Sequence, residues 1–161
     1  MRNSDGHRRR ALVTGGAGFI GASTVRALLH HGHEVTVLDD WSTGRSDYLK
    51  GLDVNLVTAD ILDRAAVDNA VEGHQVVVHL AAQTGVPGSV ENPYKDCETN
   101  VVGTLNVLVA ARNHAVSRFV FASSNAPLGR QQPPATEDMA PLPISPYGAS
   151  KLAGEAYCLA F

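Results

Sequence analysis

The segment Gly15-Gly16-Ala17-Gly18-Phe19-Ile20-Gly21 constrains this chain more than any other. It places Gly-x-x-Gly-x-x-Gly directly after the short apolar run Arg10-Ala11-Leu12-Val13-Thr14. From Ile20 to His30, apolar residues at Ile20, Val25, Leu28 and Leu29 keep to one helical face. The predicted helix stops at His30-His31-Gly32, where glycine supplies the left-handed cap. A buried strand, a glycine turn and a helix in that order put a helix N-terminus at the turn. Unpaired N–H groups and the positive end of the helix dipole favour a pyrophosphate there, and glycines let the backbone approach it. The glycines alone would equally suit a turn that merely joins strand to helix.

The next strand weighs against that plainer reading. Glu34 to Asp39 (EVTVLD) is rich in β-branched residues and ends in an acid. A carboxylate at that place accepts hydrogen bonds from ribose hydroxyls and repels a 2′-phosphate. The pattern therefore predicts a dinucleotide, and NAD rather than NADP. Asp40 either shares the role or is solvated.

Further along, residues 54–58 read as a third strand and 63–71 as a short helix. Residues 76–81 read as a fourth strand, apolar on nearly every position, as expected when both faces are covered. Residues 96–113 form a long predicted helix and 118–122 a fifth strand. A loop rich in proline (Pro127, Pro133, Pro134, Pro141, Pro143, Pro146) leads to a last helix over 147–161. Strands alternating with helices predict an α/β fold, a doubly wound parallel sheet with helices on both faces. Such a sheet binds ligands at the carboxyl ends of its strands.

Composition narrows the function classes. With 44% hydrophobic and 18% charged residues among 161, wholesale disorder is excluded. Thirteen Lys and Arg against sixteen Asp and Glu leave a net charge of -3, which gives no electrostatic case for a nucleic-acid partner. Arg2, Arg8, Arg9 and Arg10 mark residues 1–9 as a flexible basic tail before a single domain over 10–161. The longest apolar stretch, Val76 to Ala82, is broken by His79 and too short to span a bilayer, so no membrane partner is expected. Cys97 and Cys158 lack metal or disulfide spacing and read as core fillers in a reducing cytoplasm. His30, His31 and His33 read as a cap and surface turn, His79 as a core histidine, and no metal site is expected. The chain ends within an apolar helix at Cys158-Leu159-Ala160-Phe161 without a stop signal, which predicts a truncated chain.

A second constellation carries chemistry. Tyr147-Gly-Ala-Ser-Lys151 puts a phenol and an ammonium on one helical face. A neighbouring ammonium favours phenolate and makes a tyrosine usable as a base. The pair follows the fifth strand, whose C-terminal end carries Ser123-Ser124, able to hydrogen-bond a substrate hydroxyl or simply to cap a turn. A solvated helix face would carry the same Tyr-x-x-x-Lys spacing.

With these motifs together, the sequence resembles the extended short-chain dehydrogenase/reductase family, in its NAD-dependent nucleotide-sugar epimerase/dehydratase group. The likeness runs from Arg10 to the chain end. It rests on TGGAGFIG at 14–21, Asp39, Asp60-Ile61, HLAAQ at 79–83, NVVGTLNVLVAAR at 100–112, FASSNAPLG at 121–129 and SPYGASKLAGE at 145–155. The resemblance implies a Rossmann fold whose substrate lobe is missing from this chain. It implies cofactor contacts from Gly15, Gly18, Phe19, Ile20, Gly21 and Asp39. Asp60 would meet the adenine amino group with Ile61 beside the ring, and Leu80, Ala81, Ala82 and Gln83 would line the pyrophosphate and ribose. Asn100 would face the site from the long helix. Tyr147 would be the catalytic base and acid, and Lys151 would bind the nicotinamide ribose. Counting back from Gly129 along the family's Ser-x-x-x-x-Gly pattern gives Ser124, not Ser123, the substrate hydroxyl.

Two departures refine what is implied. The family's aromatic before the glycine is absent, since the chain reads Asn125-Ala126-Pro127-Leu128-Gly129. Sugar 4,6-dehydratases carry an Asp-Glu pair just after the serine, and decarboxylases usually a glutamate, where this chain has Asn125 and Ala126. The resemblance then favours a UDP-glucose/UDP-galactose-type 4-epimerase that transiently oxidises sugar C4, with NAD regenerated and a homodimer as the full-length form. The alternatives are another NAD-dependent nucleotide-sugar oxidoreductase or dehydratase, or a dinucleotide-binding fragment without activity.

Overall fold

The computed structural model describes residues 8–161. The part of the predicted tail over 1–7 lies outside the described residues. Five parallel strands form one sheet in the order β3-β2-β1-β4-β5: β1 Arg10–Thr14, β2 Glu34–Asp39, β3 Asn55–Thr58, β4 Val76–His79 and β5 Arg118–Phe121. The chain moves outward from β1 through β2 to β3, then crosses back so that β4 pairs with the other side of β1, Leu12 opposite Val77. That reversal between β1 and β4 is the switch point of a doubly wound sheet, where a crevice opens at the strand ends.

Alternation along the strands builds two cores. Leu12, Leu38 and Val77 face one side, packing with Val67, Ala70 and Val71 of α3 (Arg64–Val71) and Val107 and Ala110 of α6 (Thr104–Asn113). Val13, Val35, Val37 and Val78 face the other, under Ala22 and Val25 of α1 (Phe19–His30) and Leu49 of α2 (Ser46–Leu49). Helices on both faces thus follow from strands that are apolar on both. Among the described residues no helix is long and apolar enough to cross a membrane.

Four expectations need correction. The predicted helix over 96–113 is three pieces: α5 (Pro93–Cys97), a π-helical turn (Glu98–Gly103) and α6. Pro93 begins it, with the Asn92 side chain accepting the Lys95 amide as cap. The segment after β4 contains α4 (Val86–Glu91), with Pro87 in its first turn. β4 ends at His79, not residue 81, because the Thr14 hydroxyl takes the amides of Leu80 and Ala81, both at 3.2 Å. Cys97 is exposed and Cys158 half-buried, so neither fills a core; both are free thiols.

Candidate functional site

The glycine turn sits at the crevice. Gly15 holds φ +68°, and a Cβ there would lie 2.7 Å from the Ala81 amide nitrogen. A Cβ on Gly21 would overlap the Gly15 carbonyl oxygen, so only glycine lets α1 start this close to the turn. Gly18 is the N-cap and no side chain caps the helix. The first-turn amides of α1 have no intrahelical partner, and Phe19 and Ile20 beside them are exposed at 78% and 66%. Two bulky apolar side chains standing in solvent at an uncapped helix start fit a ligand that covers them.

Asp39 ends β2 beside this turn and is buried. Its carboxylate accepts the amides of Ala17 and Trp41, each at 2.9 Å. Trp41, at φ +61°, donates its indole N–H to the Thr58 hydroxyl at 3.0 Å, tying the end of β2 to the end of β3. Asp40 is exposed and accepts from the Ser42 amide and hydroxyl. Asp60 is exposed just beyond β3, while Ile61 is buried against Gly103 and belongs to the core under the site. Leu80, Ala81, Ala82 and Gln83 are half-buried along the crevice after β4.

Beneath them runs a buried polar spine. His79 is fully buried, and burial, helped by the Lys151 charge, pushes its imidazole down to about 3. The Thr104 hydroxyl donates to the Asn100 carbonyl at 2.7 Å, so it accepts from His79 Nε2 at 3.0 Å. His79 Nδ1 is then left to accept from the Thr14 hydroxyl at 2.7 Å. The neutral ring is therefore a core strut, not a base.

Tyr147 and Lys151 occupy the first turns of α7 (Pro146–Ala160), which Ser145 caps by accepting the Gly148 amide at 3.1 Å. Lys151 is only 5% exposed, and its Nζ donates to the Ala122 carbonyl at 2.8 Å, just past β5. The ammonium lies 6.0 Å from the centre of the Tyr147 ring and 4.9 Å from that of Phe121. Burial pushes this ammonium below the ordinary lysine range, and the charge of Asp96 pulls it back. Ser123 is bonded to Glu155 of α7, whereas the Ser124 hydroxyl accepts the Ala126 amide at 3.2 Å. Asn100, on the π-helical turn, accepts the Gln83 amide at 2.8 Å and donates to the Gln83 carbonyl at 3.0 Å.

The glycine turn, Asp39 and the segment 80–83 therefore meet at the carboxyl ends of β1, β2 and β4, with Tyr147 and Lys151 by the end of the neighbouring β5. Asp96, Ser150, Trp41 and the Thr14–His79–Thr104 spine were not singled out as site elements from sequence. Only the position of Ser150 between Tyr147 and Lys151 could have drawn notice. Among the described residues no three His, Cys, Asp or Glu side chains converge as a metal ion requires.

Four likenesses to known proteins bear on this arrangement. The family profile described as NAD dependent epimerase/dehydratase matches residues 11–161. The chain is 43% identical over 155 residues to a UDP-glucose 4-epimerase of Mycolicibacterium smegmatis, covering 92% of this chain and 50% of that protein. It superimposes with a TM-score of 0.88, at 42% identity, on the Thermus thermophilus UDP-glucose 4-epimerase in complex with NAD, covering 94% of this chain and 50% of that one. It matches Thermotoga maritima UDP-glucose 4-epimerase with UDP-glucose at a TM-score of 0.88 and 35% identity, covering 94% and 50%. The chain spans about half the length of these relatives.

Proposed function

Because this chain belongs to the NAD dependent epimerase/dehydratase family, we propose that it serves an NAD-dependent UDP-sugar 4-epimerase acting on UDP-glucose and UDP-galactose. The observation that carries the reading is the placement of Tyr147 over a buried Lys151, itself fixed to the Ala122 carbonyl at the end of β5. The residues present fit the cofactor: an uncapped helix start behind glycines that a Cβ would obstruct, and a buried carboxylate at the end of β2. NAD, when bound, supplies the nicotinamide that takes up and returns a hydride.

The chain's own residues do the rest. The amides at Phe19 and Ile20 and the glycine turn hold the pyrophosphate. Asp39 accepts from the ribose hydroxyls with lone pairs not used by Ala17 and Trp41, while Asp60 borders the adenine and Ile61 supports that wall from the core. Leu80, Ala81, Ala82 and Gln83 wall the middle of the site, and the buried Asn100 holds the Gln83 backbone from behind. Ser124 holds the sugar C4 oxygen, and Tyr147 takes the proton from it and later gives it back. Lys151 favours the phenolate and binds the nicotinamide ribose. Asn125 and Ala126 offer no acid to expel water, which favours epimerisation over dehydration.

Free thiols without metal or disulfide spacing support a cytoplasmic protein. Homodimerisation through the helices over 93–113 and 146–160 completes the reading. The experiment is direct: purify the protein, release bound nucleotide and identify it, then assay interconversion of UDP-glucose and UDP-galactose. Bound NAD with turnover supports the proposal. NAD without turnover supports a dinucleotide-binding fragment, and no NAD overturns the reading.

A further inference from the structure

Asp96 sits on α5 outside the reacting set, yet it is 1% exposed. Its Oδ1 accepts from Asn100 Nδ2 at 2.9 Å. The same Asn100 amide group reaches the Ser150 hydroxyl at 3.2 Å, and Ser150 donates to the Tyr147 carbonyl at 3.0 Å. A chain of hydrogen bonds therefore links the Asp96 carboxylate to the turn of α7 that carries Tyr147 and Lys151. Burying a carboxylate behind a neutral amide is costly unless a cation lies within its field. The buried cation in this part of the molecule is Lys151, at 5% exposure. Among the described residues neither group makes a salt bridge, so the two act on each other through the low dielectric between them and not by contact.

We infer that Asp96 is a positioning residue for the Tyr147–Lys151 pair. It steadies α7 through Asn100 and Ser150, and its charge favours the protonated form of the buried Lys151. The inference rests on the proposed role of that pair. A protonated Lys151 is what favours the phenolate, so loss of the Asp96 charge weakens the base indirectly, without touching substrate or cofactor.

The other groups around Lys151 do not replace this charge. His79 on β4 is neutral, and Glu155 on α7 is partly exposed, so solvent screens its charge more than that of Asp96. Glu91 of α4, Lys95 of α5, Glu98 of the π-helical turn, Arg112 of α6 and Arg118 of β5 are exposed.

The test uses Asp96→Asn, which keeps an oxygen to accept from Asn100 and removes only the charge. The chain has three lysines, and Lys50 and Lys95 are exposed, so the ε-carbon of Lys151 is separable by NMR of lysine-labelled protein. Without cofactor or substrate, Asp96→Asn should move the Lys151 titration to lower pH by about one unit or more, while Asp96→Glu leaves it near wild type. In the active protein the high-pH limb of kcat should move the same way with KM little changed. Asp96→Thr, an uncharged acceptor, provides the same reading should the asparagine variant not fold. A Lys151 titration unmoved by removal of the charge overturns the inference, and because that measurement needs no turnover, it fails independently of the epimerase reading.

Discussion

The Asp39 carboxylate accepts the Ala17 amide at 2.9 Å, so the acid that ends β2 also braces the glycine turn after β1. Its second oxygen, on the Trp41 amide, fixes the far wall of the same crevice. One buried charge thus shapes both sides of this crevice, and the cofactor choice proposed for it is tied to its hold on the loop.

That double role sets the outcome for variants. Asp39→Arg should narrow or reverse a preference for NAD over NADP, because the repulsion of a 2′-phosphate is gone. Asp39→Ala should weaken both cofactors, since the turn loses its brace. Calorimetric titration with each dinucleotide reads this, and tighter binding of NADP by the wild type would contradict it.

Gly21→Ala should destabilise by about 1–3 kcal/mol, the usual cost of forcing extra volume into a packed position. The added methyl overlaps the Gly15 carbonyl, so either α1 or the turn must shift. Urea unfolding and cofactor affinity should both fall. Unchanged values would mean that the turn is not held as tightly as its contacts require.

His79 offers a pH signature. Its imidazole is pushed to about 3 in the folded protein by burial, against an ordinary 6.5 when unfolded. A depressed histidine contributes stability that is present above 6.5 and is lost as pH falls from 6.5 toward 3, by up to about 1.4 kcal/mol per pH unit. Proton NMR should find one histidine ring unprotonated down to pH 4. Titration of all seven histidines near neutrality would contradict the buried strut.

Lys151→Ala should damage both turnover and cofactor retention, because the proposed mechanism uses the ammonium for both. It should also cost stability, since the variant leaves the buried Asp96 carboxylate without its cation. Nucleotide content after desalting, kcat and Tm measure the three effects. A variant that keeps its nucleotide and its rate would place the pair on an idle helix face.

The layout of the sheet was legible in the sequence because each strand is short, apolar and punctuated: β1 and β2 fall on their expected bounds, residues 10–14 and 34–39. The region around Asn100 was not. Periodicity over 96–113 reads as one helix, but the Asn100 side chain is drawn to the Gln83 backbone, to Asp96 and to Ser150, and a π-helical turn accommodates it. That distortion depends on contacts far apart in the chain, which no local pattern encodes. Asp96 was missed for the same reason, since a lone acid near a helix start reads as ordinary solvated charge. The segment 86–91 looked like loop because Gly85, Pro87 and Gly88 mask a helix that tolerates proline in its first turn. Gly15, Asp39, Tyr147 and Lys151 stand out in the sequence because their motifs are local, and the structure places them at the carboxyl ends of the strands or on the helix that follows β5.

The most direct test of the epimerase reading is turnover of UDP-galactose to UDP-glucose by Tyr147→Phe, measured beside wild type in the protein that carries this chain. The substitution keeps the ring beside Lys151 and removes only the oxygen to which the proposal assigns the proton transfer. General acid–base catalysis is worth about 10²–10⁴-fold, so kcat should fall by that factor while NAD stays bound. Wild-type turnover in Tyr147→Phe would contradict the assignment of Tyr147 as the base.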